Sequence, residues 1–332
     1  MRPRGSCPDP ASLRPDGGRS RGGVRVSARR IRPVALAFPG GRGHGPDGDP
    51  VAGGVDTRTH RGGRSVRGLV TLTTDFGQRD PWVAQVRGVL ASVWSRYPDF
   101  VGSAVDLGHD LPPHDVAAAA WFFCRASATW PAGTVHLAVV DPGVGTLRPA
   151  VACASAGSFY VGPGNGLLEF LTARDDLRVV ILDRPLYQGH PLTGEISTTF
   201  HGRDVFAPAA AHLAAGVPLE QVGRPAGRDD LGRMPAEARS EAPCIVWIDR
   251  FGNAISDLDQ DSADGRRAQA TGRISLEGKV ISGPVLTYGE SAGETPFWYW
   301  GSGGTLEIGV RSRSAAELLG LRRGLVLEVP KS

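Results

Sequence analysis

The chain has 332 residues, 41% of them hydrophobic, with a formal net charge of +3, which is enough apolar material for two ordinary domains. No run approaches the roughly 20 apolar residues that a bilayer span requires, and the N-terminus lacks the apolar stretch of a secretory signal, so a soluble cytoplasmic protein is expected. The four cysteines, Cys7, Cys124, Cys153 and Cys244, lie far apart with no CxxC pair, which argues against a zinc ribbon and a disulfide scaffold.

Residues 1–67 hold 14 Arg against 5 Asp, so the positive charge is concentrated there and the remainder is net acidic. This Arg-, Gly- and Pro-rich stretch has no sustained apolar period and is expected to be a disordered extension. A basic arm of this kind gives weak, salt-sensitive attraction to polyanions, and no specific nucleic-acid partner is expected.

Order is expected to begin at Gly68. LVTLTT has the β-branched content of a strand and ends on Asp75, after which Asp80 serves as N-cap and Pro81 as first helical residue of WVAQVRGVLASVW. Residues 101–107 form a second strand, Asp115 caps the helix VAAAAWFFCRASATW, and residues 135–140 read as a strand covered on both faces. SFYVGP and LRVVILD add strands. Strands alternating with helices predict an α/β fold whose N-terminal domain, residues 68–223, is a layered unit with a mostly parallel sheet.

Residues 224–240 are polar and rich in Gly, Pro and Arg, as a linker would be. Beyond them CIVWIDRFGN, GRISLEGKVIS, PVLTYGE, PFWYWGSGGTLEIGV and GLVLEVP read as short strands, with SAAELLG as a helix. Residues 241–332 are therefore expected to form a small C-terminal β-barrel domain.

Asp75, Asp141 and Asp249 each fall just past an expected strand, where open α/β sheets present ligands. TTFHGRDVFAPAAAHLA adds His201, Arg203 and Asp204 before an Ala-rich helix. In GHDLPPHD, His109, Asp110, His114 and Asp115 have metal-ligand chemistry, but two prolines keep them off one helix face and Asp115 has a capping role, so a metal site is disfavoured.

Seven segments carry a resemblance: TLTTDFGQRDPWVAQVRGVL, VDLGHDLPPHDVAAAAWFF, GTVHLAVVDPGVGTLRPAV, YVGPGNGLL, TFHGRDVFAPAAAHLAAG, IDRFGNAISDL and LEIGVRSRSAAELLGL. In order and spacing, over residues 68–328, the chain resembles the S-adenosyl-L-methionine hydroxide adenosyltransferases, the hydrolase branch of the family that includes the fluorinase and chlorinase. The resemblance implies a homotrimer of two-domain subunits, with S-adenosyl-L-methionine bound between the first domain of one subunit and the second domain of its neighbour, and no cofactor or metal.

It also implies roles. Asp141, Arg148 and His201 match the catalytic set of the hydrolases, whereas the halogenating relatives carry an aromatic residue at the Asp position. Asp75 matches the ribose-diol acceptor, Trp82 borders the ribose, and Phe200 and Gly202 line the reacting carbon. Asp249 and Asn253 match the holders of the methionine amino group and Ser302 that of its carboxylate, while the backbone at Ser314 and Ala315 reads the adenine edge. Phe251 and Trp298 are candidates for a stacking surface or for core. PFWYWGSGG departs from the family pattern at the methionine end.

The implied reaction is attack of water or hydroxide on ribose C5′, releasing L-methionine and leaving adenosine. The sulfonium is already a good leaving group, so the catalytic burden falls on orienting and polarising the nucleophile. The alternatives are a halide-using synthase making 5′-chloro-5′-deoxyadenosine, a metal hydrolase centred on His109 to Asp115, and a non-catalytic nucleoside binder.

Overall fold

The computed structural model describes residues 66–235, 240 and 242–330, so the disorder expected in residues 1–67 lies almost wholly outside the described residues. β1 (Val66–Thr74) is followed by α1 (Trp82–Trp94), β2 (Phe100–Gly108), α2 (Val116–Ser127) and β3 (Val135–Val139). Next come β4 (Ala150–Ser155), β5 (Ser158–Pro163), β6 (Arg178–Ile181), α3 (Ala207–Ala214), α4 (Leu219–Val222) and β7 (Arg224–Ala226). These strands make one sheet in the order β2-β1-β3-β5-β4-β6-β7. The β2-β1-β3-β5 half is parallel, and β4, β6 and β7 extend it antiparallel. Residues 224–226, which composition places in the linker, thus add an edge strand to this sheet.

Both faces are covered, which is why β3 is buried along its whole length. Val135, Leu137 and Val139 point into a core shared with α1 and α3, while Ala138 and Val140 point into a second core under α2. Asp115 caps α2 as expected, accepting from Ala118 N–H at 2.9 Å. Asp80 does not cap α1: the first turn closes on the Pro81 carbonyl, which accepts from Gln85 N–H at 3.0 Å, and Pro81 itself holds the cap position.

The second unit contains β8 (Ile245–Ile248), β9 (Ala254–Asp259), α5 (Ala263–Thr271), β10 (Arg273–Leu276), β11 (Lys279–Ser282), β12 (Phe297–Trp300), β13 (Thr305–Gly309) and α6 (Ala315–Leu319). Its six strands curl in the order β10-β11-β12-β13-β9-β8. Leu325 to Glu328 bridge the two edges: Leu325 O accepts from Ile245 N–H, and Ser275 and Glu328 exchange backbone bonds at 2.8 and 2.9 Å. PVLTYGE, expected as a strand, is a loop with a 3₁₀ turn at Tyr288–Glu290. Its Leu286 N–H is taken by the Glu290 carboxylate at 2.9 Å instead of by a neighbouring strand.

α2 fastens the two units. Trp121 stacks on Trp247 with centroids 5.2 Å apart, Arg125 donates to Gly303 O at 2.7 Å, and Asp115 accepts from Arg323 at 2.6 Å. No helix among the described residues is long and apolar enough to cross a membrane.

His136 on β3 is wholly buried and shares its Nδ1 with Thr71 Oγ1 at 2.8 Å. Burial lowers its pKa to about 4, and burial with the Arg96 charge lowers that of His212 to about 4 as well. Both rings stay neutral in the fold, whereas the unfolded chain protonates them below its ordinary value near 6.5. Stability is therefore expected to fall as pH drops from about 6.5 to about 4, by up to ~1.4 kcal/mol per pH unit for each ring, and to level off below. Urea unfolding across that range checks it, with His136→Phe removing about half of the slope.

Candidate active site

β3 ends at Val139, Val140 leads out of it, and Asp141 begins a turn whose geometry the sequence dictates. Val144 N–H closes on Asp141 O at 3.2 Å, and Asn165 Nδ2 donates to Val140 O at 2.9 Å, holding the strand end in place. Gly145 has φ +77°, and a Cβ there would lie 2.4 Å from Thr198 O. Only glycine lets this turn pack so closely against the segment that leads to His201.

That packing brings three distant residues together. Arg148 Nε donates to Asp141 Oδ1 at 2.9 Å, and Arg148 Nη2 donates both to Asp141 Oδ2 and to His201 Nδ1, the latter at 2.9 Å. Nη1 donates to Pro149 O at 3.2 Å, so four of the five guanidinium N–H bonds have protein partners. Side-chain exposure is 9% for Arg148 and 5% for Asp141, so the ion pair is largely dehydrated. The guanidinium also lies 5.2 Å over the ring of fully buried Phe206.

Because arginine cannot accept a hydrogen bond, His201 Nδ1 must be the acceptor, and its ring proton sits on Nε2. Burial, followed by the Arg148 charge, pushes the His201 pKa below its ordinary value, with Asp141 opposing. His201 precedes a π-helical turn at Gly202–Phe206, an irregularity often found at functional positions. Arg203 pairs with fully buried Asp204 and donates to Gln85 Oε1 at 2.9 Å, tying that turn to α1.

Beside the trio stands an aromatic wall. Phe200 meets Phe76 edge-on at 5.8 Å and Trp82 at 5.5 Å, and Trp82 remains 43% exposed. A Cβ on Gly202 would stand 3.3 Å from both Phe200 and Phe76, so the bare glycine leaves room where these rings converge. Asp75, at the neighbouring strand end, accepts from His114 N–H through Oδ2 at 2.9 Å. His109 bonds Thr74 at 2.8 Å and approaches Asp106 at 3.0 Å, fastening the ends of β1 and β2 beneath Asp75.

A cavity of about 730 Å³ opens in the C-terminal unit, lined by Asp249, Phe251, Asn253, Tyr288, Tyr299 and Ser314 among others. Asp249 accepts from the backbone N–H groups of Phe251 and Asn253 and from Asn253 Nδ2, at 2.8–2.9 Å. Ser314 caps α6, its Oγ accepting from Glu317 N–H at 3.0 Å. Three expected residues are absent from the lining: Ser302 sits in the exposed β12–β13 turn, and Ala315 and Trp298 are fully buried. Trp298 is core, because its place on β12 points into the C-terminal hydrophobic cluster, while Phe251 is 77% exposed and does line the cavity.

Sequence reasoning passed over a chain of hydroxyls here. Tyr288 and Tyr299 share a bond of 2.6 Å, and Tyr299 donates to Glu307 at 2.6 Å. Burial, then the Asp249 charge, raises the Glu307 pKa. With the Tyr299 proton directed at Glu307, Tyr288 must donate to Tyr299, so the Tyr288 oxygen offers lone pairs to the cavity. Together with Asp249, this gives the cavity acceptors for a cationic or N–H-bearing ligand, while Arg313, also in the lining, is paired with Glu294.

Residues 70–223 match the family model of the SAM hydroxide adenosyltransferase N-terminal domain, and residues 243–328 that of the C-terminal domain. The chain is 43% identical to an (R)-S-adenosyl-L-methionine hydrolase from Thermus thermophilus, over 77% of this chain and 97% of that one. It is 36% identical to another of that name from Salinispora tropica, over 78% and 97%, and 26% identical to a fluorinase from Actinoplanes sp., over 80% and 98%. Similar solved structures include an uncharacterized conserved protein from Thermotoga maritima, with TM-score 0.68, 26% identity and coverage of 79% of this chain and 100% of that one. A conserved hypothetical protein from Thermus thermophilus gives TM-score 0.62 and 38% identity, with the same coverage.

The His201 geometry can be read directly. Imidazole ¹⁵N spectra should show the Nε2–H tautomer and a titration midpoint below the ordinary 6.5. Arg148→Met should raise that midpoint, because a nearby cation is removed while Asp141 remains.

Proposed function

The chain belongs to the SAM hydroxide adenosyltransferase family, and from that premise we propose that it hydrolyses S-adenosyl-L-methionine to adenosine and L-methionine. The observation that carries this reading is the convergence of Asp141, Arg148 and His201 at the end of β3. A carboxylate in that place suits water and repels an approaching halide, which favours hydrolysis over halogenation.

The hydrogen bonds support a division of roles. His201 Nδ1 is occupied and Nε2 carries the proton, so His201 can only donate to the water. Asp141 is the acceptor of the trio and takes one water hydrogen, while His201 engages one oxygen lone pair and leaves the other for C5′. The new O–C5′ bond forms as the C5′–S bond breaks. Its electron pair returns to sulfur, turning the sulfonium into the thioether of L-methionine, and a water proton leaves through Asp141 to solvent. Arg148 holds the carboxylate and the imidazole in register. Attack merges developing charges, so a site sheltered by Phe76, Phe200 and Trp82 favours the transition state over a wet one.

The sugar end would rest on Asp75 and the aromatic wall, with Gly202 leaving space for a small nucleophile. Asp249 and Asn253 would hold the methionine ammonium, and Ser314 with the Ala315 backbone the adenine edge. Ser302 would serve the carboxylate only from a neighbouring chain or after a turn movement, since it is not in the cavity lining. Among the described residues the cavity is lined by the C-terminal unit alone, whereas the trio lies on the first sheet. This separation supports a site that joins the first domain of one subunit to the second domain of the next, as in the homotrimer that the family resemblance implies.

Chromatography of the reaction mixture should show adenosine and L-methionine in equal amounts; a halogenated nucleoside or no product would overturn the assignment. Asp141→Asn is expected to lower kcat by about 10²–10⁴-fold while changing substrate affinity little. Co-expressing Asp141→Asn with Asp249→Ala chains should restore about one quarter of wild-type activity, because random mixing rebuilds that share of shared sites. Activity that stays at the level of the separate variants would instead place each site within one chain.

A further inference from the structure

A second cavity, of about 130 Å³, lies between the C-terminal end of α1, the loop over residues 186–194 and α3. Its lining includes Arg96, Gln188, His190 and His212 and, among the described residues, no aspartate or glutamate. His190 Nδ1 accepts from Leu192 N–H at 3.3 Å, which leaves the ring proton on Nε2. The Gln188 amide Nε2 is buried without a hydrogen-bond partner. His212, 7% exposed, bonds the Tyr97 hydroxyl through Nδ1 at 2.6 Å and makes no protein hydrogen bond through Nε2. A phenol is the stronger acid of that pair, so Tyr97 donates to Nδ1 and the imidazole proton again lies on Nε2.

Four side chains that carry N–H groups thus line one small space, one of them a cation, and among the described residues no carboxylate lines it. Water fills such a space poorly, since each molecule brings two hydrogens of its own that need acceptors. A phosphate-class oxyanion brings several more acceptors than hydrogens, and a volume of about four waters accommodates one tetrahedral group. We propose that this cavity is a binding site for a small tetrahedral oxyanion of the phosphate class, separate from the Asp141 centre. The loop that forms one wall continues to His201: Gly189 N–H donates to Asp204 O at 2.6 Å and Ser197 N–H to Asp204 Oδ2 at 2.9 Å.

The test is calorimetric titration of the full chain with inorganic phosphate, with sodium chloride balancing ionic strength. Binding of one phosphate per chain with Kd of about 1 mM or tighter is expected. Arg96→Met and Gln188→Leu should each weaken it by about tenfold, and neither change is buried deeply enough to threaten folding. Asp141→Asn should leave it unchanged, which separates this site from the catalytic one. Absence of phosphate binding, binding indifferent to Arg96→Met and Gln188→Leu, or binding lost with Asp141→Asn would overturn the proposal. None of these outcomes depends on whether the chain hydrolyses S-adenosyl-L-methionine.

Discussion

One guanidinium organises the centre of this protein. Arg148 has a rigid fork of five N–H bonds, of which two go to Asp141, one to His201 and one to Pro149. Removing the ion pair from water is costly unless its polar atoms are satisfied, and here they are satisfied by one another. The surrounding architecture follows from that requirement. β3 must end where Asp141 reaches the fork, Gly145 must let the turn press on Thr198, and Phe206 must supply a flat apolar floor beneath the cation. Lysine could not replace Arg148, since a point charge lacks the planar set of donors that joins a carboxylate and an imidazole in one plane of contacts.

The two units of the chain differ in the polarity they offer a ligand. At the strand ends the trio combines one acceptor with directed donors, a composition suited to a single water. The C-terminal cavity offers Asp249, Asn253 and the Tyr288 oxygen backed by Tyr299 and Glu307, a composition suited to positive charge. S-adenosyl-L-methionine carries its charge at the sulfonium and ammonium and its reactive carbon between them and the base, so it needs both kinds of surface at once.

Much of this was legible in the sequence because it rests on short-range rules. The run at 135–140, apolar except for His136, predicts a strand covered on both faces, and β3 contributes to two cores. Asp115 before an Ala-rich run predicts a capped helix, and Ala118 N–H meets it. The Asp141–Arg148 spacing becomes a bidentate pair because a glycine turn lies between them. What sequence could not give are contacts set by tertiary packing. The Tyr288–Tyr299–Glu307 chain joins a loop to two strands and has no periodic signature. PVLTYGE has strand-like composition, yet Glu290 captures its backbone. α5 has few apolar residues and is fixed by Ser262 at its start, which accepts from Gly265 N–H at 2.9 Å, and by Gly272 in the left-handed region at its end. Trp298, a candidate stacking surface by composition, faces inward because alternation on β12 is set by the curl of the sheet.

The bridge formed by Leu325 to Glu328 bears on how the C-terminal unit comes into being. Cys244 and Ser275 find their outer partners only in residues near the far end of the same unit. The intervening hairpins form from neighbours, but the curl has two open edges until that last segment docks. Such closure depends on contacts between remote parts of the chain, which form slowly and leave exposed strand edges in the meantime. Closure of this unit thus rests on its terminal segment, and chains in which that segment is undocked would present ready templates for pairing with one another.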